Sequence, residues 1–552
     1  MNDPRYVVHD WQPHERPPFP GSPSTPRHPL LRRVQYGAVG TLVALTGGLG
    51  NAVVAANLPY LQGSLGADAW EMAWLPAAYA MSAVSANLLL VKFRQQFGLR
   101  LFTEMFLVLY VLTLFAHLFV DSLGSAIAVR AANGMVGAAL YSLGIFYMIQ
   151  AFPNEHRIKA LVLALGLTQL ALPLARVFPI DLLRFGEWRG LYLAELGLAL
   201  LTLACVLALK LPPSDRYRVF EKLDFLTFGV FAAGAAGLAT VLSLGRYLWW
   251  TESAWLGATL AASVGLLCLA GLIEHGRRNP LLNLRWLASG GIVRLAAAIV
   301  LIRIALSEQS TGAVGFFQML GLTNEQMQTM FGLVLAGAVC GIAVSAATLR
   351  RETLAQHLIV AVAAIAAGAF MDAGATHDTR PQQMYLSQFL LAFGSTFFIA
   401  PAMLTGVGQV IGQPRNFISF VVLFSMTQNM GSLFGSAFLG TLQTWREKFH
   451  SSQLADHLVA SDPQVTAWLQ THAAAYAHVV TDPAQRQALA LRALAGSATR
   501  EANVLAYNDV FLVFAWLAIA TAAWLLGHLL WQRWRNRAGA TDLPPTSSIA
   551  TR

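Results

Sequence analysis

Apolar residues run along this chain in long stretches parted by short polar gaps, and most stretches reach the ~20 residues that a helix needs to cross the hydrocarbon core of a bilayer. Fourteen such runs can be traced, over approximately 35–61, 72–92, 101–120, 124–151, 159–179, 189–210, 224–244, 254–274, 290–315, 327–349, 355–373, 383–406, 416–441 and 508–531. The pattern predicts an all-α polytopic membrane protein whose solvent is the lipid bilayer. An even number of crossings returns the chain to its starting side.

Composition supports this and excludes a soluble multi-domain enzyme. The 552 residues are 56% hydrophobic and 12% charged, against about 25% charged in soluble proteins. A net charge of +9 would suggest nucleic acid in a soluble chain, but 24 of the 37 Lys and Arg fall in the tails and in alternate gaps. They cluster at 27–33, 92–100, 157–159, 210–222, 277–285, 350–351, 415 and 533–537. Positive residues concentrate on the cytoplasmic side of a membrane, so both termini are expected there and no nucleic acid partner is implied. Cys205, Cys268 and Cys340 all lie inside apolar runs, without metal or disulfide spacing.

Two segments stand outside the apolar pattern. Residues 1–33 hold eight of the 23 prolines and no apolar core, and a disordered cytoplasmic tail is expected. The long loop 444–507 is expected on the outer side as two or more short helices, since 445–459 and 484–506 mix apolar and polar residues at helical spacing. Its His450, His457, His472 and His478 have no matched acid or cysteine, which favours solvated surface over a metal site.

No Gly-x-x-x-x-Gly-Lys-[Ser/Thr] loop is present to cradle phosphates, nor His-Glu-x-x-His or Gly-x-Ser-x-Gly. The chain is therefore read as no enzyme. Ionisable residues inside a bilayer are costly and mark functional positions. Those of helices 3, 4, 5, 6 and 9 are Glu104, Arg130, Arg176, Glu195, Arg303 and Glu308. Glu308, in the polar run Ser307-Glu308-Gln309-Ser310-Thr311, is the first candidate for carrying a proton, with Glu104 and Arg130 beside it. Interfacial pairing for Glu104, a helix-end position for Glu308 and structural ion pairing for Arg130 are the competing readings. Glycines recur in helices 4, 7 and 13, where they permit close helix contact, and Pro59, Pro76, Pro173 and Pro401 threaten helix continuity.

Several short pieces, in order, resemble one family. They are Asn57-Leu58-Pro59 followed by Trp74 and Tyr79; Arg130-Ala-Ala-Asn-Gly134; Trp188-Arg189; Asp224 with Gly245 and Trp250; Asn279-Pro280-Leu281; and Ala506-Tyr507-Asn508-Asp509-Val510-Phe511. From about residue 34 to 534 the chain resembles the major facilitator superfamily, its fourteen-helix drug:proton antiporter branch, and within that the inner-membrane subunit of tripartite multidrug pumps. The resemblance implies a six-helix bundle over 34–210, two inserted helices over 211–274, and a second six-helix bundle over 275–534 that includes loop 444–507, with a tail at 535–552. It also implies alternating access around a central cavity.

The departures are specific. Aligning Gly98 with the second glycine of the family's Gly-x-x-x-Asp-Arg-x-Gly loop puts Val91, Gln95 and Gln96 at the other marked positions, so the usual ion pair is missing. Asn51 stands near the place of a helix-1 aspartate, and Pro173 lacks its preceding glycine while Arg176 is unusual.

The function expected is a proton-driven efflux transporter of amphipathic or aromatic compounds, needing no cofactor beyond the proton gradient. A periplasmic adaptor and an outer-membrane channel are the expected partners in a bacterial inner membrane. Asn51, Tyr79, Asn87, Tyr141, Gln169, Arg176, Arg303, Gln309, Gln428 and Asn429 are the candidate cavity residues for a small-molecule substrate. Three intramembrane cations, Arg130, Arg176 and Arg303, without an assigned acid point to anionic substrates. A proton-linked importer, an uncoupled facilitator and a lipid-modifying enzyme are the alternatives.

Overall fold

The computed structural model describes residues 9–12, 15–17, 21–178, 189–277, 279–410, 413 and 416–541. Fourteen helices in it are long and apolar enough to cross a membrane. We number them helix 1 (Leu30–Ala56), helix 2 (Ala69–Phe97), helix 3 (Leu99–His117), helix 4 (Leu123–Ala151), helix 5 (Asn154–Val177), helix 6 (Arg189–Ala208) and helix 7 (Lys222–Leu248). The rest are helix 8 (Ala254–His275), helix 9 (Gly290–Met319), helix 10 (Gln328–Thr348), helix 11 (Arg351–Asp372), helix 12 (Pro381–Val410), helix 13 (Phe417–His457) and helix 14 (Pro483–Trp531). All fourteen expected spans are present. Trp188, Arg278 and Arg415 lie outside the described residues.

Helix 1 packs on helices 4, 5 and 6, helix 2 on helix 4, and helix 3 on helices 4 and 6. Helices 9 to 14 repeat the arrangement, with helix 12 between 10 and 11 and helix 14 against 11 and 13. The two groups meet where helix 5 touches helices 10 and 12 and where helix 2 touches helix 13. Helix 7 lies between helices 2 and 13, joining Val84 and Leu88 to Val422 and Met430 through Phe231, Ala235 and Ala239 in one apolar cluster. Helix 8 packs on helix 7, and only 17% of its most apolar window is buried. The rest of its surface is suited to lipid.

Two prolines interrupt these spans one turn upstream of themselves, because each removes a backbone donor and its ring crowds the carbonyl four residues earlier, whereas Pro401 lies inside the unbroken helix Tyr385–Val410. Pro76 faces the carbonyl of Met72, and the helix breaks at Ala73. Pro173 faces that of Gln169, and the break falls at Leu170. Gly98 ends helix 2 at φ 88°, a backbone setting that favours glycine.

Two expectations are corrected. Loop 444–507 is mostly the continuation of its flanking spans: helix 13 runs unbroken to His457 and helix 14 begins at Pro483, continuing to Thr541. Only 458–482 connects them, with a short helix at Pro463–Ala475. The apolar run ended where lipid ends, while the helix went on, since no proline or glycine interrupts 441–457. His450 is also less solvated than expected, its Nε2 lying 2.6 Å from Asp509 Oδ2.

The stretch 21–29, expected within a disordered tail, is docked on the C-terminal end of helix 4 and the N-terminal end of helix 5. Ser22, Ser24 and Thr25 are buried. Ser24 N donates to Pro213 O at 3.0 Å, Gln150 Nε2 donates to Ser24 O at 2.9 Å, and Arg157 Nη2 donates to Thr25 Oγ1 at 2.7 Å. Polar side chains of helices 4 and 5 thus satisfy a proline-rich strand that has no apolar core of its own.

Candidate functional site

Between the two bundles lies a cavity of about 870 Å³. Helices 1, 2, 4 and 5 form one wall, helices 9, 10, 12 and 13 the other, and the C-terminal end of helix 7 closes a side. All ten candidate cavity residues, Asn51, Tyr79, Asn87, Tyr141, Gln169, Arg176, Arg303, Gln309, Gln428 and Asn429, are on this wall. Asn87 Nδ2 crosses between bundles, donating to Ser425 Oγ at 2.8 Å. Arg176 Nη1 does the same towards Asn324 Oδ1 at 3.3 Å, and Asn324 Nδ2 donates to Ala56 O at 3.0 Å.

Charge on the wall is one-sided. Arg94, Arg176, Arg246 and Arg303 line it, and among the described residues no Asp or Glu does. Sequence reading missed Arg94, which sits in a basic cluster at the end of helix 2 and looks like a topology signal. It is 2% exposed, its guanidinium lies over the rings of Phe146 and Phe102, and its Nε and Nη1 have no hydrogen-bond partner. Arg303 Nε is likewise without one.

The three proton-coupling candidates are all off the cavity wall. Glu104 accepts from Arg100 Nε at 2.9 Å in an exposed pair four residues apart, which removes it from the buried set. Arg130 is held by neutral groups: Nη1 donates to Gly50 O at 2.6 Å, Nη2 donates to Asn51 Oδ1 at 2.7 Å, and its guanidinium lies 4.9 Å from the Tyr79 ring. Glu195 of helix 6 is buried nearby with no hydrogen-bond partner on either oxygen.

Glu308 is fully buried and not at a helix end. Residues Glu308–Gly312 form a π-turn inside helix 9, a local widening often found at functional sites. The turn keeps Glu308 behind the wall while Gln309, Ser310 and Thr311 stay on it. Behind the wall Glu308 is brought beside Asp372, the last residue of helix 11. Gln388 Nε2 of helix 12 donates to both, at 3.2 Å to Glu308 Oε1 and 2.8 Å to Asp372 Oδ2. Neither Asp372 nor Gln388 was singled out from sequence, since each sits at or near the end of its apolar run.

The ion pair missing from the loop after helix 2 is replaced nearby. Lys92 Nζ donates to Asp224 Oδ2 at 2.7 Å, with both side chains buried. Arg277 then binds Asp224 at 2.7 Å, Glu274 at 2.7 Å and Glu221 at 2.8 Å. Burial alone would lower the Arg277 guanidinium, but hydrogen bonds to Glu221, Glu274 and Asp224 hold it above its ordinary value. Helices 7 and 8 are thereby tied to the C-terminal end of helix 2.

A profile of the Major Facilitator Superfamily matches residues 40–436. The chain belongs to this superfamily. Its fold is similar to that of the human organic anion transporter MFSD10 (TETRAN), at 12% identity and a TM-score of 0.52, covering 89% of this chain and 100% of that one. A bacterial homologue of the human drug peptide transporters PepT1 and PepT2 is similar at 13% identity and a TM-score of 0.53, covering 91% of this chain and 99% of that one. The proton:xylose symporter XylE gives 13% identity and a TM-score of 0.52, covering 90% and 96%. No curated protein matches the chain. The chain is a transporter rather than an enzyme.

Proposed function

We propose that this chain is a proton-coupled exporter of organic anions with apolar or aromatic bodies. The observation that carries the reading is the cavity wall with four arginines and, among the described residues, no acid. A cationic substrate would be repelled there without compensation, whereas a carboxylate would find guanidinium donors not already engaged. Apolar wall residues such as Ala138, Ile145, Leu165 and Val334 suit the body of such a molecule.

Direction follows from electrostatics. In a membrane negative on the cytoplasmic side, moving an anion outward gains about 2.3 kcal/mol per charge per 100 mV, and proton entry adds to that drive. The charge pattern supports cytoplasmic termini in a bacterial inner membrane. The helical extensions of helices 13 and 14 beyond the apolar runs, with exposed Trp445 and Phe449, support a periplasmic adaptor and outer-membrane channel as partners of a tripartite pump.

Everted vesicles test the proposal. Adding aromatic carboxylates to the energised membrane is expected to collapse part of the pH gradient, and cationic dyes are expected neither to do so nor to compete. Dyes that outcompete the carboxylates would overturn the anionic reading; transport with no gradient collapse would overturn coupling.

A further inference from the structure

We infer that Glu308 and Asp372 form a single one-proton site, held by Gln388 and linked to the substrate cavity through Gln309. The inference rests on the proton-coupled reading above and names its carrier as a pair.

One amide nitrogen, Gln388 Nε2, reaches both carboxyls and so sets them side by side, where two ionised carboxylates would offer each other only acceptors and a proton on one would turn it into a donor. Glu308 Oε2 is fully buried and no protein donor reaches it. A shared proton is the donor that completes the site. Two carboxyls so close hold one proton between them because adjacent like charges resist simultaneous ionisation.

Among the described residues, the side-chain donor that reaches both carboxyls is the neutral amide of Gln388. Helix 12 presents Ser387 and Gln388 to the carboxyls. Helix 14 presents Phe511 against Gly312 and the Tyr507 hydroxyl against Gly315, one and two turns further along helix 9. Gln388 belongs to both sides of the wall. Its side chain bridges the two carboxyls, while its main-chain oxygen accepts from Nε2 of the cavity-lining Gln309 at 2.8 Å. A substrate that draws Gln309 towards it would loosen the contact that positions Gln388, and with it the grip on the proton. Gln309 and Gln388 are thus positioning residues, and the exchange moves a proton only, with no bond to carbon made or broken.

The test is infrared difference spectroscopy of the purified full-length protein, titrated with pH and with no substrate present. Wild type and Glu104→Gln are expected to show the same protonated buried carboxylic acid band. Glu308→Gln and Asp372→Asn are each expected to remove that band or move its midpoint by about one pH unit or more. Gln388→Leu, which keeps both carboxyls, is expected to move it as well. A band absent from wild type, or one unaffected by Asp372→Asn, would overturn the pair; a monodisperse elution profile keeps a folding failure from being read as a result. Vesicle assays then separate the two readings. An intact spectroscopic pair in a protein that no organic anion sets transporting would sink the proposed function and leave this inference standing.

Discussion

Lys92 and Asp224 meet at 2.7 Å with 5% and 0% of their side chains exposed. A buried pair of this kind gives little net stability against an apolar alternative, but removing one partner strands the other and costs about 3–5 kcal/mol. Asp224 also receives Arg277, so its loss strands Lys92 and takes one of three acids from Arg277, which keeps Glu274 and Glu221, whereas the loss of Lys92 leaves Asp224 paired with Arg277. Asp224→Asn is therefore expected to lower the melting temperature in detergent more than Lys92→Met. Equal effects would mean that Arg277 reorganises on its own.

Helices 2 and 4 approach through Gly134, where an added Cβ would run into the Tyr79 carbonyl and the Ser82 hydroxyl. The carbonyl is backbone and cannot turn aside. Gly134→Val is expected to destabilise by about 1–3 kcal/mol through overpacking and to displace Tyr79 from the Arg130 guanidinium. Thermal unfolding compared with Gly124→Val, at a glycine with open space around it, would check this, and similar losses at both sites would contradict it.

Arg303 and Arg176 offer the proposed substrate charge-assisted hydrogen bonds worth about 1.5–3 kcal/mol each. Arg303→Gln and Arg176→Gln should each weaken organic anion binding by about tenfold or more. Arg303→Lys should recover part of the loss, since it restores charge without the planar fork. Binding to the purified protein, measured by calorimetry, would show whether neutral analogues of the same shape are unaffected, as expected.

The fold was legible because lipid imposes a length and a polarity on every span. The cavity was legible for a related reason: a polar residue such as Asn87 or Gln428 in an apolar run must face something polar, and the space between bundles is where that occurs. Asp372 and Gln388 were not, since a residue at a span's edge is equally at home in water, and only the tertiary approach of helices 9, 11 and 12 buries them. Arg94 was hidden by the same ambiguity. Helical spacing was read in 445–459, but its continuity with helix 13 was missed because hydropathy measures the solvent and not the backbone.

His28 offers a pH test of the docked amino-terminal segment. Its Nε2 lies 2.9 Å from Gln150 Oε1 and its ring 4.8 Å from that of Tyr36. Burial pushes the imidazole below its ordinary 6.5, with the Gln150 hydrogen bond opposing and Arg32 adding to the shift. A base whose folded value is depressed contributes stability that is fully present above the unfolded value and is lost as pH falls through the folded one. Docking of 21–29 is therefore expected to hold at pH above about 6.5 and to loosen on acidification. Limited proteolysis after Arg27 should quicken as pH falls in wild type, relative to cleavage after the exposed Arg350. In His28→Gln, which lacks the titrating ring, the rate should stay flat across the same range; a wild-type rate that is also flat would show that His28 does not govern the segment.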